Sequence, residues 1–448
     1  MDFSSLVAAA PMARTWRTRI VARIAILAVL TLVPASPAIA AEGPLSLEDA
    51  VSRAVERAPM LLARDASQRS ASEELLRADA LPDPKLTFGV QNFPIGGPDA
   101  FTVSEDRMTM RRIGLSQTLP SRAKRDARRQ LAQALVEQAD AETLTTTLDV
   151  QRATAKAWVQ LWGAQKGRDL LEDLRDQAGL AVRATRARLS GGGGSASDAL
   201  AARGTELELQ NRIDDADARI EQARAGLQRW LGELPTTSIS APPDFAEEPV
   251  PQNQLLANLD QLGQLLSWDA QEASADAALA LARAEKSPDW SVGAGLARRG
   301  AGASNVAWLE LGVDLPLFAG NRQDRGISAR SADLEAVRAT REEARRAQTE
   351  LVRKSFARWE GLGLQVVRSR DGLLPLTHDR SRTALSAYSG GASLQDWLNA
   401  RRDEIDTRLE YADLLAAWGQ AWADLAYLLP QKETQPNRAA VNLPEISR

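Results

Sequence analysis

The chain has 448 residues, of which 44% are hydrophobic and 25% charged, a balance that excludes disordered and collagen-like proteins. Its formal net charge is −4 with both signs interspersed, so it lacks the clustered Lys and Arg that nucleic acid requires, and we expect no nucleic-acid partner. It contains no cysteine, which excludes disulfides, thiolate metal sites and a thiol-linked lipid anchor.

The first 40 residues have the pattern of an export signal. A basic segment at 14–23 precedes an apolar run at 24–33, and Ala38-Ile39-Ala40 has the small residues of a cleavage site. This run is far shorter than the roughly 20 residues of a spanning helix. We therefore predict a signal peptide at 1–40, translated from Met1 or Met12. Beyond it, no stretch approaches about 18 uninterrupted apolar residues, so any membrane crossing by the mature chain must use strands.

The mature chain carries an internal duplication. The pattern Ser-x-x-Asp-x-Leu-x-Ala-Arg occurs at 195–203 and again at 393–401, and Glu206 and Glu404 extend the correspondence. A long-period repeat decides architecture before residue chemistry does. Each copy reads as a helix, two strands joined by a turn, a very long helix, a Gly-rich turn and a return helix.

The duplication places the predicted domains. The first repeat spans 41–233, with a β-hairpin at 85–118 and a helical hairpin at 121–233, and the second spans 253–430, with a β-hairpin at 290–315 and a helical hairpin at 321–430. A Pro-rich linker or equatorial segment at 234–252 separates them, and a tail at 431–448 follows.

Periodicity predicts the elements within each repeat. Apolar residues at helical spacing predict an opening helix at about 46–80, and the second copy opens near Gln254. Alternation of apolar residues, sharpest at 290–296, predicts strands at 85–93, 107–118, 290–296 and 305–315. Residues 121–189 contain no proline and predict one coiled-coil-like helix of roughly 100 Å. Its counterpart at 321–388 should kink at Pro375.

Four strands with one apolar face cannot close into a membrane-spanning barrel alone. A dimer would supply eight strands and a filled interior, so an open lumen needs at least the twelve strands of a trimer. A small covered sheet in a soluble protein is the alternative that the pattern leaves open.

Several motifs carry a family resemblance. The order of elements, the duplication and the Ser-x-x-Asp-x-Leu-x-Ala pattern after both Gly-rich turns resemble the TolC-type outer membrane efflux family. The resemblance covers essentially the whole mature chain. Within the family, Leu81-Pro-Asp-Pro84, the segment at 106–117 and Leu119-Pro120 are most similar to the branch that serves heavy-metal pumps of the resistance-nodulation-division type.

The resemblance implies a mostly α fold with a small β part. It implies a homotrimer forming a 12-stranded β-barrel in the outer membrane, continued by an α-helical tunnel across the periplasm, with a collar built from the 234–251 stretch and the tail. The partners implied are a periplasmic adaptor, an inner membrane pump and outer membrane lipid. The function implied is passive export, of heavy-metal cations in particular, with no enzymatic activity and no cofactor.

The resemblance also assigns candidate sites. The two Gly-rich turns would form the periplasmic tip where the adaptor docks, with Gly191, Gly193, Gly194, Ser195, Asp198, Gly390, Gly391 and Ser393 as docking residues. Asp396 matches the first of two acidic entrance positions, while the second is Asn399, so the implied carboxylate ring at the entrance is single. The alternative for the Ser and Asp residues is helix capping, in which the Ser oxygen accepts from a backbone N–H of the first turn.

Other candidates have plain interpretations. Gly191 to Gly194 follow a helix and lack the Gly-Lys-Ser/Thr ending of a phosphate loop. Met108 and Met110 are expected as wall residues of a strand, and His378, the single histidine, as a solvated helical residue without a zinc site. With no cysteine and one histidine, the sequence offers no sulfur nucleophile and no obvious triad, and no spacing singles out a pair of catalytic carboxylates, which stay open.

The sequence leaves two alternative functions open. The same channel could serve type I secretion or multidrug efflux, since the pump chooses the cargo. A periplasmic coiled-coil adaptor or scaffold is a different class of protein, against which the two hairpins of barrel-type strands argue.

Overall fold

A computed structural model describes residues 43–233 and 238–430. The predicted signal peptide at 1–40, the predicted tail at 431–448 and the first part of the linker at 234–237 lie outside these described residues. The described fold is mostly helical with one small sheet, as predicted. None of its helices has the length and apolar character of a membrane span.

The predicted opening helix is divided in two. Helix α1 (Leu47–Arg57) begins at Ser46, whose hydroxyl accepts a hydrogen bond from the Asp49 backbone N–H at 3.0 Å. Ala58 then adopts an extended conformation, with ψ of 120°, and α2 (Pro59–Arg77) follows. The prediction of one helix over 46–80 was wrong because Pro59 disfavours a helical conformation in the residue before it and itself suits a first helical position.

The two predicted hairpins join in one antiparallel sheet with the order β1-β2-β3-β4. Its strands are β1 (Lys85–Gln91), β2 (Met110–Leu119), β3 (Asp289–Arg299) and β4 (Val306–Asp314). The link between β2 and β3 pairs the two repeats directly, with Leu115 opposite Ala294. Within the described residues, β1 and β4 each pair on one side only, so both outer edges of the sheet are open.

The sheet has two chemically different faces. Register places large apolar side chains on one face, which we call the apolar face, and several are more than half exposed: Leu86, Phe88, Ile113, Leu115, Trp290, Leu296, Leu309 and Leu311. On the other face, which we call the glycine face, the Trp308 ring lies across Gly114, Gly293 and Gly295. A Cβ added to Gly114 would lie 2.3 Å from that ring, so the close approach requires glycine.

The long helix of the first repeat is continuous. Helix α3 (Arg122–Ser190) has 69 residues, which at 1.5 Å per residue is about 100 Å. Its counterpart consists of α7 (Gln323–Arg368), one π-helical turn (Ser369–Leu373) and α8 (Leu374–Ser389). Pro375 cannot donate to the carbonyl of Asp371, and its ring displaces that carbonyl, so the helix widens just before the proline.

The return helices complete each repeat and supply much of the core. They are α4 (Ala196–Leu231) and α9 (Leu394–Ala426), and shorter helices α5 (Gln252–Ala257) and α6 (Trp268–Ala284) open the second repeat. Trp158 of α3 is fully buried where α1, α3, α4 and α9 meet, and its indole N–H donates to the Leu45 carbonyl at 3.1 Å.

Part of the predicted linker belongs to this core. Phe245 lies among Trp162, Trp418 and Trp422, with ring centroids 5.7 to 6.2 Å away. Gly419 allows this, because a Cβ there would lie 2.6 Å from the Phe245 ring. The segment from 238 onward is therefore held against α3 and α9.

Candidate functional site

The two Gly-rich turns reverse the chain in related but unequal ways. In the first tip turn (residues 191–195), Gly192 has φ of +77° and Ser195 caps α4 by accepting from the Asp198 N–H at 3.1 Å. In the second tip turn (residues 390–393), Gly391 has φ of +102° and Ser393 accepts from the Gln395 N–H at 3.1 Å. The first turn has one residue more between the helix end and the capping serine.

Because of this extra residue, aligning the two repeats does not identify Gly192 as the counterpart of Gly391. Aligning the two serines places Gly391 beside Gly193, whereas the residue with positive φ in the first turn is Gly192. Positive φ favours glycine, so Gly192 and Gly391 are required by the backbone. No sequence signal separates Gly192 from the three glycines that follow or precede it.

The glycines of the tip turns therefore differ in what they tolerate. A Cβ at Gly194 would lie 2.9 Å from the Leu189 backbone nitrogen, so this residue is packed against the end of α3. A Cβ at Gly193 meets nothing within 4 Å. Gly193 is thus the position where a side chain would project from the tip without a clash.

Ser195 and Ser393 cap their helices by accepting a backbone hydrogen bond, as the capping interpretation predicts. The Asp198 and Asp396 carboxylates do not complete a capping box. Within the described residues, neither the Asp198 nor the Asp396 carboxylate accepts a hydrogen bond. Asp396 and Asn399 are both exposed on α9, and Asn399 accepts from the Gln395 side chain at 3.0 Å. Trp397 and Leu398 are buried, so this first part of α9 presents Asp396 and Asn399 away from the protein core.

An aromatic and cationic stack ties the two tip turns together. Tyr388, one residue before the end of α8, stacks on Trp397 of α9 with centroids 6.1 Å apart and an interplanar angle of 11°. The Arg188 guanidinium lies 4.7 Å above the Tyr388 ring and donates to the Tyr388 carbonyl at 3.2 Å. The ends of α3, α8 and α9 are thereby held in one arrangement.

A buried carboxylate lies behind this stack. Glu404 of α9 is 1% exposed and accepts from Arg401 at 2.7 Å and from Arg408 at 2.8 Å, and the Nδ1 atom of His378 lies 3.0 Å from it. Burial would raise the pKa of Glu404, but the His378 hydrogen bond and the charge of Arg401 outweigh it, so the pKa lies below its ordinary value. Burial in turn lowers the pKa of Arg401.

His378 differs from the expectation of a solvated helical residue. Its side chain is 44% exposed and is held by Glu404, which is 26 residues away across the second tip turn. The Arg401 and Glu404 pair had a sequence signal, since Arg203 and Glu206 repeat it in the first copy. The histidine had none, because it has no counterpart in the first copy and its partner lies on another helix.

A cavity of about 440 Å³ opens between α3, α8 and α9 beside this cluster. We call it the basic cleft, because the described residues that line it include Arg188, His378, Arg382 and Arg401 and no acidic side chain. The remaining walls are largely apolar, from Leu180, Leu385 and Trp397. Such a cleft suits an apolar side chain accompanied by a negative charge.

The methionines are not both on a strand. Met110 is the first residue of β2, whereas Met108 lies in the preceding turn and is 57% exposed. The Asp106 carboxylate accepts from the backbone N–H groups of Met108 and Thr109, at 3.2 and 2.9 Å, and this local turn delays the strand. In the described part of the chain, no group of three or more acidic or histidine residues is arranged to hold a metal ion.

Comparisons with known proteins agree with this architecture. The sequence model of the outer membrane efflux protein family matches residues 50–233. The cobalt-zinc-cadmium resistance protein CzcC of Cupriavidus metallidurans is 24% identical over 415 residues, which cover 87% of this chain and 91% of CzcC.

Solved structures share the fold. The channel CusC is similar with a TM-score of 0.72 and 16% identity, covering 86% of this chain and 92% of CusC. The CmeC outer membrane channel of Campylobacter jejuni is similar with a TM-score of 0.72 and 14% identity, covering 85% of each chain.

Proposed function

We propose that the chain is the outer membrane channel of a tripartite efflux system and works as a homotrimer, because residues 50–233 match the outer membrane efflux protein family and most of the chain is similar to CzcC. It conducts passively, and an inner membrane pump of the resistance-nodulation-division type supplies the energy. A periplasmic adaptor joins the two, and the channel itself carries out no chemical reaction.

The exposed apolar face of the sheet carries this proposal. Leu86, Leu115 and Leu309 share that face and are 53 to 73% exposed, which is unfavourable in water and suits lipid. The glycine face has the small and polar residues of a lumen. Open edges at β1 and β4 support closure with other copies, since lipid cannot satisfy an unpaired strand edge.

Three copies would form a 12-stranded barrel in the outer membrane. Strands β2 and β3 have 10 and 11 residues, close to the roughly 9 to 11 that a tilted spanning strand needs. Helices α3 to α9 would then continue the conduit into the periplasm. The segment at 238–251 and the tail would form the collar, which the packing of Phe245 against α3 and α9 favours.

The tip is the proposed meeting point with the adaptor. Residues of both tip turns would contact it, with Gly193, Gly391 and Ser393 among them, and the neighbouring basic cleft offers charge complementary to an acidic helix. Asp396 from three copies would form one carboxylate ring at the entrance, with Asn399 beside it. Exposure of both side chains on one part of α9 supports this role.

Heavy-metal cations are the proposed cargo. The motifs at 81–84 and 106–117 and the similarity to CzcC, whose name describes resistance to cobalt, zinc and cadmium, support this class. Drugs or secreted proteins would use the same conduit. A deletion strain tested against cobalt, zinc, cadmium, copper, silver and common antibiotics distinguishes these cargoes.

Reconstitution tests the channel itself. Purified protein added to a planar lipid bilayer should produce discrete conductance steps of a water-filled pore. A preparation that dissolves without detergent and never conducts would favour the periplasmic scaffold and contradict the proposal.

A further inference from the structure

Two arginines lie side by side on the apolar face. Arg111 of β2 and Arg298 of β3 are direct partners in the register, so their Cβ atoms are about 5 Å apart. Both side chains are exposed and follow Ile113 and Leu296 along the same face. Like charges directly opposite each other destabilise a sheet unless something neutralises them.

The protein does not neutralise this pair. Neither Arg111 nor Arg298 forms an ion pair or a side-chain hydrogen bond with any residue in the ranges 43–233 and 238–430. Their chain neighbours on the glycine face behave differently. Arg112 donates to Gln91 at 2.9 Å and lies 4.8 Å over the Trp308 ring, and Arg299 donates to the Arg107 carbonyl at 3.2 Å.

The position of the pair along the strands is also specific. On β3, Arg298 lies eight positions after Trp290, about 26 Å along the strand, and Val292, Ala294 and Leu296 occupy the apolar face between them. The helices join the sheet at the Trp290 end. Leu119, the last residue of β2, pairs with Trp290, and α3 begins three residues later, whereas the turn lies at the other end of β2. The arginine pair therefore lies at the turn end, at the edge of an apolar band that would be about 20 Å high with strands tilted by about 40°, which approaches the roughly 25 Å band of membrane barrels.

We propose that Arg111 and Arg298 together bind the phosphate of a phosphorylated lipid headgroup in the outer leaflet of the outer membrane. Two guanidinium groups side by side suit the oxygens of one phosphate, because each presents a planar fork of N–H donors. The inference rests on the proposed function, since it needs the apolar face to lie in lipid and the turn end to face the cell exterior. Three copies would give three such sites around the channel.

Lipid binding by the purified trimer tests this site. Diphosphorylated lipid A, its monophosphorylated form and phosphatidylethanolamine are added to the protein in detergent, and bound lipid is counted by native mass spectrometry. Wild type should retain both forms of lipid A better than phosphatidylethanolamine, whose phosphate is neutralised by its own ammonium group. Arg111→Gln with Arg298→Gln should weaken that binding about 10- to 30-fold, as expected for losing two cationic contacts near a headgroup.

The neighbouring arginines provide the matched control. Arg112→Gln with Arg299→Gln removes the same charge at the same height on the glycine face, and it should leave lipid binding within about twofold of wild type. Arg111→Lys with Arg298→Lys keeps the positive charge but loses the planar guanidinium donors, so its lipid A binding should lie between that of wild type and that of the Arg111→Gln, Arg298→Gln variant. Equal loss in the Arg111 and Arg112 double variants, or none in either, overturns the proposal.

Two further outcomes are distinguishable. If millimolar inorganic phosphate displaces lipid A completely, the pair is a free-phosphate site and the lipid proposal is wrong. If the wild-type trimer inserts and conducts but shows no lipid preference, this inference fails and the channel function stands. If no trimer inserts at all, both fail together.

Discussion

The Nδ1 atom of His378 lies 3.0 Å from the Oε1 atom of Glu404, and this contact links α8 to α9 behind the tip. Arg401 and Arg408 bind the same carboxylate, which is almost fully buried. Behind the second tip turn, the Glu404 carboxylate thus contacts these three side chains. The corresponding Glu206 of the first repeat pairs with Arg203 near the surface.

Removal of the buried charge should loosen the second tip turn. Glu404→Gln leaves Arg401 buried without its partner charge, and we expect a loss of about 3 kcal/mol in local stability. Hydrogen exchange of the α9 backbone amides measures it. Glu206→Gln is the control in the first repeat, where the loss should stay below about 1 kcal/mol because the pair is partly solvated. Equal effects in both repeats would contradict the structural difference.

Acid should loosen the same turn. The pKa of Glu404 lies below its ordinary value of 4.5, so its stabilising contribution is complete above that value and is lost as the pH falls through the lowered pKa. Tryptophan fluorescence, to which Trp397 contributes, and hydrogen exchange of α9 between pH 7 and pH 3 should follow this loss. In Glu404→Gln, the acid-dependent step should be smaller, and a step of the same size would assign it to other carboxylates.

A large side chain at the tip should block adaptor docking without unfolding the protein. Gly193→Trp projects into open space, so we expect loss of metal resistance with a normal amount of trimer in the membrane. Gly226→Trp is the control, because it also meets nothing within 4 Å but lies 30 residues along α4, about 45 Å from the tip. Gly391 is less suitable for this test, since its φ of +102° would strain any other residue.

Charge at the entrance should control divalent-cation block. Asp396→Ala removes the proposed carboxylate ring and should weaken block of single-channel current by divalent cations, with folding nearly unchanged because the side chain is exposed. Asn399→Asp adds a second carboxylate one turn along and should strengthen that block. Unchanged block in both variants would place the entrance constriction elsewhere.

Apolar spacing and the positions of proline and glycine predict most of the helices and strands of this fold. The features that they do not predict depend on contacts between residues distant in sequence. Residues 122–190 contain no proline, so one uninterrupted helix was predictable, as was distortion near Pro375. Pro59 also predicts the break at Ala58, but apolar spacing that continues across it favours a single longer helix. Strand alternation identified the apolar face, because side chains on successive residues point to opposite sides.

The pairing of β2 with β3, which joins the two repeats, could not be predicted from the sequence. The β2–β3 register, which brings Arg111 beside Arg298, depends on the relative placement of two segments nearly 190 residues apart in the chain. The contact between His378 and Glu404 likewise depends on how α8 and α9 pack. The local sequence pattern predicts neither the register nor this contact. Because the two tip turns differ in length, aligning the repeats also pairs Gly391 with Gly193 and not with Gly192.

Native mass spectrometry of protein extracted from the outer membrane tests the central claim most directly, because the sheet of one chain presents an apolar face and two open edges. The account predicts detergent-dependent particles that contain three copies of the chain. Water-soluble particles of a single copy, with the apolar face of the sheet covered by the chain's own helices, would contradict it.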